Sequence, residues 1–255
     1  MLRKLDELTG FKIQAVDGDI GKVHDFYFED DSWHIRYLIV DTGPWILGKQ
    51  VLVAPSAIRA VDWDMEILEV ELNKEQIEHS PDIGLDLPVS RQHEVELHQY
   101  YGWPAYWLPA PTIATPMGAY ATPVPVGVAE PTQTGVTEHE AEELGDANLR
   151  SVHEVVNYHI HATDGHIGHV QDFFAEENDW IIRYLLVDTR NWLPGRKVLI
   201  GTDWVDRIDW TDRDVFVNVT RNQVEESPEY NPQAPVTRAY EKDLYASYQM
   251  PGYWF

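Results

Sequence analysis

The chain has 255 residues, of which 44% are hydrophobic and 24% charged, and its formal net charge is −24. This composition is typical of a globular protein, and the length suffices for one large domain or two small ones. The negative charge disfavours binding to nucleic acid or anionic lipid, because such binding depends on Lys and Arg contacts. The absence of cysteine excludes disulfides, thiolate catalysis and zinc–thiolate sites.

Two further features bear on location. The sequence contains no apolar run approaching the roughly 18 residues that a membrane span needs. Its first residues also lack the apolar segment of a signal peptide. We therefore expect a cytoplasmic protein without a membrane span.

The main feature of the sequence is an internal duplication. Adding 147 to the residue number aligns the first part of the chain with the last, without a gap from Leu2 and Leu149 onwards. About 40 of the aligned pairs are identical, and the register extends into an aromatic segment after each core. The predicted organisation is a first repeat at 1–81, an aromatic tail and linker at 82–147, a second repeat at 148–228 and a C-terminal tail at 229–255.

Within a repeat, short segments separated by turn residues predict a small β-barrel of six strands. In the first repeat the predicted strands cover 11–16, 22–29, 33–41, 50–54, 58–62 and 66–72. Asn73 is expected to cap a short helix that ends by Ser80-Pro81, and Thr220 holds the same position in the second repeat. The fold class predicted is all-β: two small barrels, each with a short C-terminal helix and an extended aromatic tail.

Three runs in each repeat resemble the PRC-barrel family. They are Asp-Gly-x-x-Gly-x-Val-x-Asp-Phe, Trp-x-Ile-Arg-Tyr-Leu-x-Val-Asp-Thr, and the segment from Trp45 to Val53. The family includes the cytoplasmic part of the photosynthetic reaction-centre H subunit and the C-terminal domain of the ribosome maturation factor RimM. The resemblance implies an adaptor or assembly module without an active site of its own.

The linker and tails differ in composition from the repeats. Residues 104–128 are rich in Pro, Ala, Thr and Val, which is typical of extended or polyproline II chain. Aromatic side chains cluster in both tails, and such clusters often mark interaction surfaces. Either each tail folds back on its own barrel or it docks on a neighbouring subunit. The candidate interaction residues are Tyr100, Tyr101, Trp103, Tyr106 and Trp107 in the first tail, and Tyr245, Tyr248, Tyr253, Trp254 and Phe255 in the second.

A histidine cluster spans the first hairpin turn of the second repeat. His159 and His161 share a strand face, and the turn brings His166 and His169 near them, so a zinc or nickel site is conceivable. The first repeat has Lys or other polar residues at these positions, so surface histidines are the alternative. Arg36 and Arg183 lie in the middle of predicted strands, near Asp41 and Asp188, and we expect them to form structural ion pairs or to be partners on a sheet face.

No catalytic constellation is evident in the sequence, so we expect neither an enzyme nor a cofactor. The leading hypothesis is a structural protein that self-associates through its tails and linker into a homo-oligomer, in the form of a filament or tube. One alternative is an adaptor that binds another macromolecular complex through a protein partner. The other is a metal-binding stress protein that uses the histidine hairpin.

Overall fold

The computed structural model describes residues 1–46, 48–81, 89–108, 148–190, 192–193 and 195–254. Residues 1–79 and 148–255 form one unit that contains both repeats, and residues 80–147 form a second unit. Most of the predicted linker, 109–147, and Phe255 lie outside the described residues.

Each repeat forms one sheet, so the predicted all-β fold of two similar barrels is confirmed. In the first repeat the elements are β1 (Leu2–Lys4), α1 (Leu5–Leu8), β2 (Lys12–Ala15), β3 (Gly18–Glu29), β4 (Ile35–Asp41), β5 (Gln50–Val53), β6 (Ile58–Asp62), β7 (Ile67–Val70) and α2 (Lys74–Glu78). Those that follow are α3 (Arg91–Tyr101), β8 (Leu149–Ser151), α4 (Val152–Val155), β9 (His159–Ala162), β10 (Gly165–Glu176), β11 (Ile182–Asp188), β12 (Lys197–Gly201), β13 (Val205–Asp209), β14 (Asp214–Val217), α5 (Arg221–Glu226) and α6 (Arg238–Tyr248). The sheet order is β5-β4-β3-β2-β7-β6 in the first repeat and β12-β11-β10-β9-β14-β13 in the second.

One close approach of backbone to backbone recurs in both sheets. Gly21 and Gly168 occupy equivalent places in β3 and β10, with φ of 156° and 151°. A Cβ atom at either glycine would lie 2.2 Å from a carbonyl oxygen, that of Asp41 or Asp188 respectively. Only glycine fits there, which explains why both copies keep it.

The helix that ends each barrel is capped as predicted. Asn73 accepts a hydrogen bond from the backbone N–H of Gln76, whose side chain in turn accepts from the N–H of Asn73. Thr220 and Gln223 form the same capping box before α5. These reciprocal bonds satisfy N–H groups that a helix start otherwise leaves without partners.

The first strand of each repeat belongs to the sheet of the other repeat. β1 pairs antiparallel with β10, and β8 pairs antiparallel with β3. Each sheet therefore has seven strands instead of the six predicted within a repeat, because the seventh comes from the other copy. The two barrels complete one another by reciprocal strand exchange.

The tails contain helices, in contrast to the extended chain expected. α3 begins after Ser90, whose hydroxyl accepts from the N–H of His93, and ends at Gly102 in the left-handed conformation. α6 begins after Thr237 in the same way and ends at Gln249, also left-handed. A Ser or Thr cap followed by eleven residues without Pro or Gly is a helix signal that the high aromatic content obscured.

Candidate interaction surfaces

The exchanged strands are anchored by two buried aspartates at equivalent positions. Asp172 in β10 lies 3.4 Å from the Nζ of Lys4, and its Oδ1 accepts a bond of 3.3 Å from the N–H of Asp6. Asp25 in β3 accepts from the hydroxyl of Ser151 and, at 3.1 Å, from the N–H of His153. Each carboxylate thus binds the strand and short helix contributed by the other repeat.

Burial affects the two groups of the Asp172–Lys4 pair differently. Burial raises the pKa of Asp172, although the backbone N–H of Phe173 and the ammonium of Lys4 oppose the shift. Burial alone would lower the pKa of Lys4, but the Asp172 carboxylate raises it overall. Each charge of the pair thus offsets part of the cost that burial imposes on the other.

Next to each anchor, an arginine of the exchanged strand lies between an aromatic ring and an acid. The Arg3 guanidinium is 4.0 Å from the ring centre of Trp63 in its own repeat and 3.8 Å from Glu177 in the other. The Trp63 indole N–H donates to Glu177 at 2.9 Å, so each of the three residues contacts the other two. Cation–π contacts of this kind contribute about 0.5–2 kcal/mol.

The same arrangement occurs on the other side of the repeat junction. Arg150 lies 4.1 Å from the ring centre of Trp210 and 3.4 Å from Asp30. Since these residues are the counterparts of the first set, the contact obeys an approximate two-fold symmetry.

A third contact joins the sheets directly at the starts of β4 and β11. Trp33 and Trp180 have left-handed backbones, with φ of 59° and 56°, an unfavourable conformation for a bulky residue. Their carbonyl oxygens accept from the N–H groups of Ile182 and Ile35, at 2.9 and 2.8 Å respectively. The strained backbone is therefore coupled to a hydrogen bond that crosses the junction.

The C-terminal tail folds back on the second barrel. Tyr245 and Tyr248 of α6 are buried, and their rings lie 5.0 and 4.6 Å from the ring of Trp204. The side chain of Gln223 also donates to the carbonyl of Tyr248 at 2.8 Å. Of the two alternatives for this tail, the structure places it on its own barrel.

A buried glutamate fastens that tail. Glu241 accepts hydrogen bonds from the hydroxyls of Tyr184 at 2.8 Å and Tyr253 at 2.7 Å, and it lies 3.2 Å from Arg238. Burial and the nearby carboxylate raise the pKa of both tyrosines, which therefore stay neutral donors. Burial also raises the pKa of Tyr245 to about 12.

The first tail contains the same set of residues within its own unit. Glu94 accepts from Tyr106 at 2.6 Å and pairs with Arg91 at 2.6 Å. The Arg91 guanidinium lies 4.8 Å from the ring centre of Trp107, as Arg238 lies 4.6 Å from that of Trp254. The Arg-x-x-Glu and Tyr-Trp pairs, which both repeats contain, thus form one recurring tail motif.

The other aromatic residues of the first tail contact one another. Tyr101 stacks on Trp103 with ring centres 4.3 Å apart, and Tyr100 meets Tyr101 edge-on at 4.9 Å. Tyr100 is 41% exposed, one of the largest exposed aromatic surfaces in the described part of the chain. Burial raises the pKa of Tyr101 to about 12.

The histidine cluster is partly assembled. The ring of His166 lies 5.5 Å from that of His159 and 5.3 Å from that of His161, while the latter bonds Asp214 at 3.2 Å. His169 pairs with His159 across the strands. Burial and the neighbouring imidazoles lower the pKa of His166. Within the described residues, no three His, Asp or Glu side chains are placed to hold a metal ion.

Arg36 and Arg183 form ion pairs as expected, but with acids other than the nearby Asp41 and Asp188. Arg36 bonds Glu29 at 2.5 Å, and Arg183 bonds Glu176 and Asp179. The acids proposed from the sequence lie five residues farther along the same strand, roughly 17 Å away at the strand rise. Glu29 and Glu176, which do bind, are the last residues of the neighbouring strands β3 and β10, and Asp179 lies in the turn that follows β10.

Comparison with known proteins agrees with this architecture. Residues 2–77 match the family model of the PRC-barrel domain. No curated protein matches the chain. None of the helices in the described ranges is long and apolar enough to cross a membrane. The chain therefore carries a PRC-barrel domain at residues 2–77, and the similar sheet of the second repeat is consistent with a tandem PRC-barrel arrangement.

Proposed function

We propose that the protein is a non-enzymatic assembly protein whose copies associate with one another. The observation that carries the proposal is the reciprocal exchange, because each barrel is completed by a strand that another repeat supplies. A repeat that needs a strand from another repeat to complete its sheet is suited to association.

The buried acids support a structural role. Asp25, Asp172 and Glu241 are the groups that an active site would use, yet each is engaged by backbone N–H, hydroxyl or cationic partners that hold a strand or a tail. A carboxylate so occupied has little capacity left to bind or activate a substrate.

The surface for association includes the first tail. Tyr245 and Tyr248 are packed against Trp204 of the same chain, so we assign contacts between copies to the exposed aromatic surface around Tyr100. We also include the linker at 82–147 among the segments proposed to contact a second copy, because it is continuous with the first tail.

The test is light scattering after size exclusion, with negative-stain electron microscopy, over a range of protein and salt concentrations. We expect oligomers that grow with protein concentration and with added salt, because each copy carries a charge of −24 that salt screens. Particles of one chain's mass under every condition would refute self-association and favour the adaptor alternative.

A matched pair of variants tests the role of the tail. Tyr100→Ser introduces the residue that the second repeat already has at the equivalent position, Ser247, so the helix should still form. We expect this variant to associate more weakly than the native chain. The control Gln92→Ala, on the same helix and exposed, should associate normally.

A further inference from the structure

We propose that the strand exchange between the two repeats is also made between chains, so that the first repeat of one copy completes the second repeat of another. This inference rests on the proposed function and deepens it, since it names the surface and the partner: a second copy of this chain.

The exchanged arm makes its anchoring contacts with the other repeat. For the arm formed by β1 and α1, these are the pairing with β10, the ion pair of Lys4 with Asp172 and the bond from Asp6 to the same carboxylate. The backbone N–H of Glu177 also donates to the carbonyl of Met1 at 2.9 Å. None of these contacts depends on which chain supplies the second repeat.

The arm leaves its own barrel at one permissive residue. Gly10 has a φ of 90°, and no atom lies within 4 Å of where its Cβ would be. Its counterpart Asn157 is also left-handed, with a φ of 75°. A single residue at the base of each arm thus sets the direction in which the arm departs, which is the usual place for a hinge in strand exchange.

The charges favour any pairing of arm and barrel. The first arm carries Arg3 and Lys4 towards Glu177 and Asp172, while the second carries Arg150 towards Asp30. Both arms carry basic side chains where they reach the other repeat, and the surface of that repeat is acidic at the point of contact. Electrostatic complementarity therefore recruits a second copy as well as it joins the repeats of one chain.

The covalent link between the two repeats decides whether pairing within one chain or pairing between chains dominates. Repeats tethered in one chain meet at an effective concentration in the millimolar range, so the closed monomer prevails in dilute solution. At high concentration, or when chains refold together, the first repeat of one chain can pair with the second repeat of another chain. Each chain carries one of each, so this heterologous contact propagates as a linear chain or closes as a ring.

The test uses the absence of cysteine in the native chain. Leu2 and Glu176 face each other across the exchange, and the bond between Met1 and Glu177 makes theirs the closely spaced kind of pair, suited to a disulfide. One full-length variant carries Leu2→Cys and a second carries Glu176→Cys. The two are mixed at high concentration, unfolded in denaturant, refolded together and oxidised.

We expect a disulfide-linked dimer that mass spectrometry of peptides assigns to residues 2 and 176. Replacing the first variant by Val16→Cys, whose site is 71% exposed in the turn between β2 and β3, should give only background cross-linking. A chain carrying both cysteines of the exchange should close the bond within itself when refolded dilute, which verifies that the pair can form.

Absence of the mixed dimer, with the intrachain bond formed, overturns the inference. The proposed function is judged separately by light scattering of the cysteine-free chain: oligomers without the mixed dimer would leave it standing and place the contact elsewhere. The pair Leu149→Cys and Glu29→Cys tests the second arm if the first pair misfolds.

Discussion

Replacing Leu5 by Ala should destabilise the second barrel, although Leu5 belongs to the first repeat. Leu5 is 1% exposed in α1, and α1 lies against β10 of the second barrel. Truncating a buried Leu to Ala costs about 2–5 kcal/mol, depending on how far the surroundings collapse. Part of this cost falls on the docking of the arm, so the arm should open more often.

Amide hydrogen exchange followed by NMR measures this opening locally. The N–H of Glu177 donates to the carbonyl of Met1, and that of Asp30 donates to the carbonyl of Asn148 in the mirror position. A loss of 2 kcal/mol in docking corresponds to about a 30-fold faster exchange. We expect Leu5→Ala to accelerate exchange at residues 175–177 and to leave residues 28–30 much less affected.

The mirror variant provides the control. Val152→Ala, at the counterpart of Leu5, removes a buried side chain from α4, so we expect it to accelerate exchange at 28–30 at a cost of about 1.5–3 kcal/mol. Val16→Ala, at a site that is 71% exposed, should change the free energy of unfolding by less than about 0.5 kcal/mol. If Leu5→Ala loosened only the first barrel, the exchanged topology would be wrong.

Three further predictions concern the C-terminal tail, the junction between the two repeats and the glycine at the close backbone approach in β10. Tyr253→Phe removes one hydrogen bond to buried Glu241, so thermal denaturation should show a loss of about 1–3 kcal/mol, while the fold is retained. Burial and Arg36 lower the pKa of His34, so the unfolded chain binds more protons and stability falls as pH drops below about 6.5. His34→Ile introduces the residue that the second repeat has at the equivalent position, Ile181. The melting temperature of this variant should therefore fall less between pH 7.5 and 5.5 than that of the native chain. Gly168→Ala forces a Cβ against a carbonyl oxygen and should prevent native folding, as judged by circular dichroism and solubility.

The barrel strands were predictable because their signals are local. The observed strands Gln50–Val53 and Ile58–Asp62 agree with prediction to within a residue, and the helix after Asn73 begins where its cap predicts. Alternating apolar residues and turn residues such as Asp17-Gly18 specify these elements without reference to the rest of the chain.

The exchanged strands could not be predicted in the same way. Leu2–Lys4 and Leu149–Ser151 have three residues each, too few for a periodic pattern, and their partners lie more than a hundred residues away. A strand's partner is chosen by packing and charge over the whole molecule, and no local pattern encodes it. The duplication held an indirect signal, because Leu2 and Arg3 of the first arm are repeated as Leu149 and Arg150 in the second.

The scarcity of positive charge gives the exchange surface its specificity. The chain has 19 Lys and Arg against 43 Asp and Glu, so most of its surface repels another copy. Arg3, Lys4 and Arg150 bring cations to the crossing arms, where they meet acids of the opposite repeat. Random collisions of two such acidic molecules are therefore unproductive, whereas an arm that reaches a free barrel edge finds both strand pairing and charge neutralisation. In the association that we propose, the acidity that opposes general aggregation would direct copies to the surface that joins the two repeats.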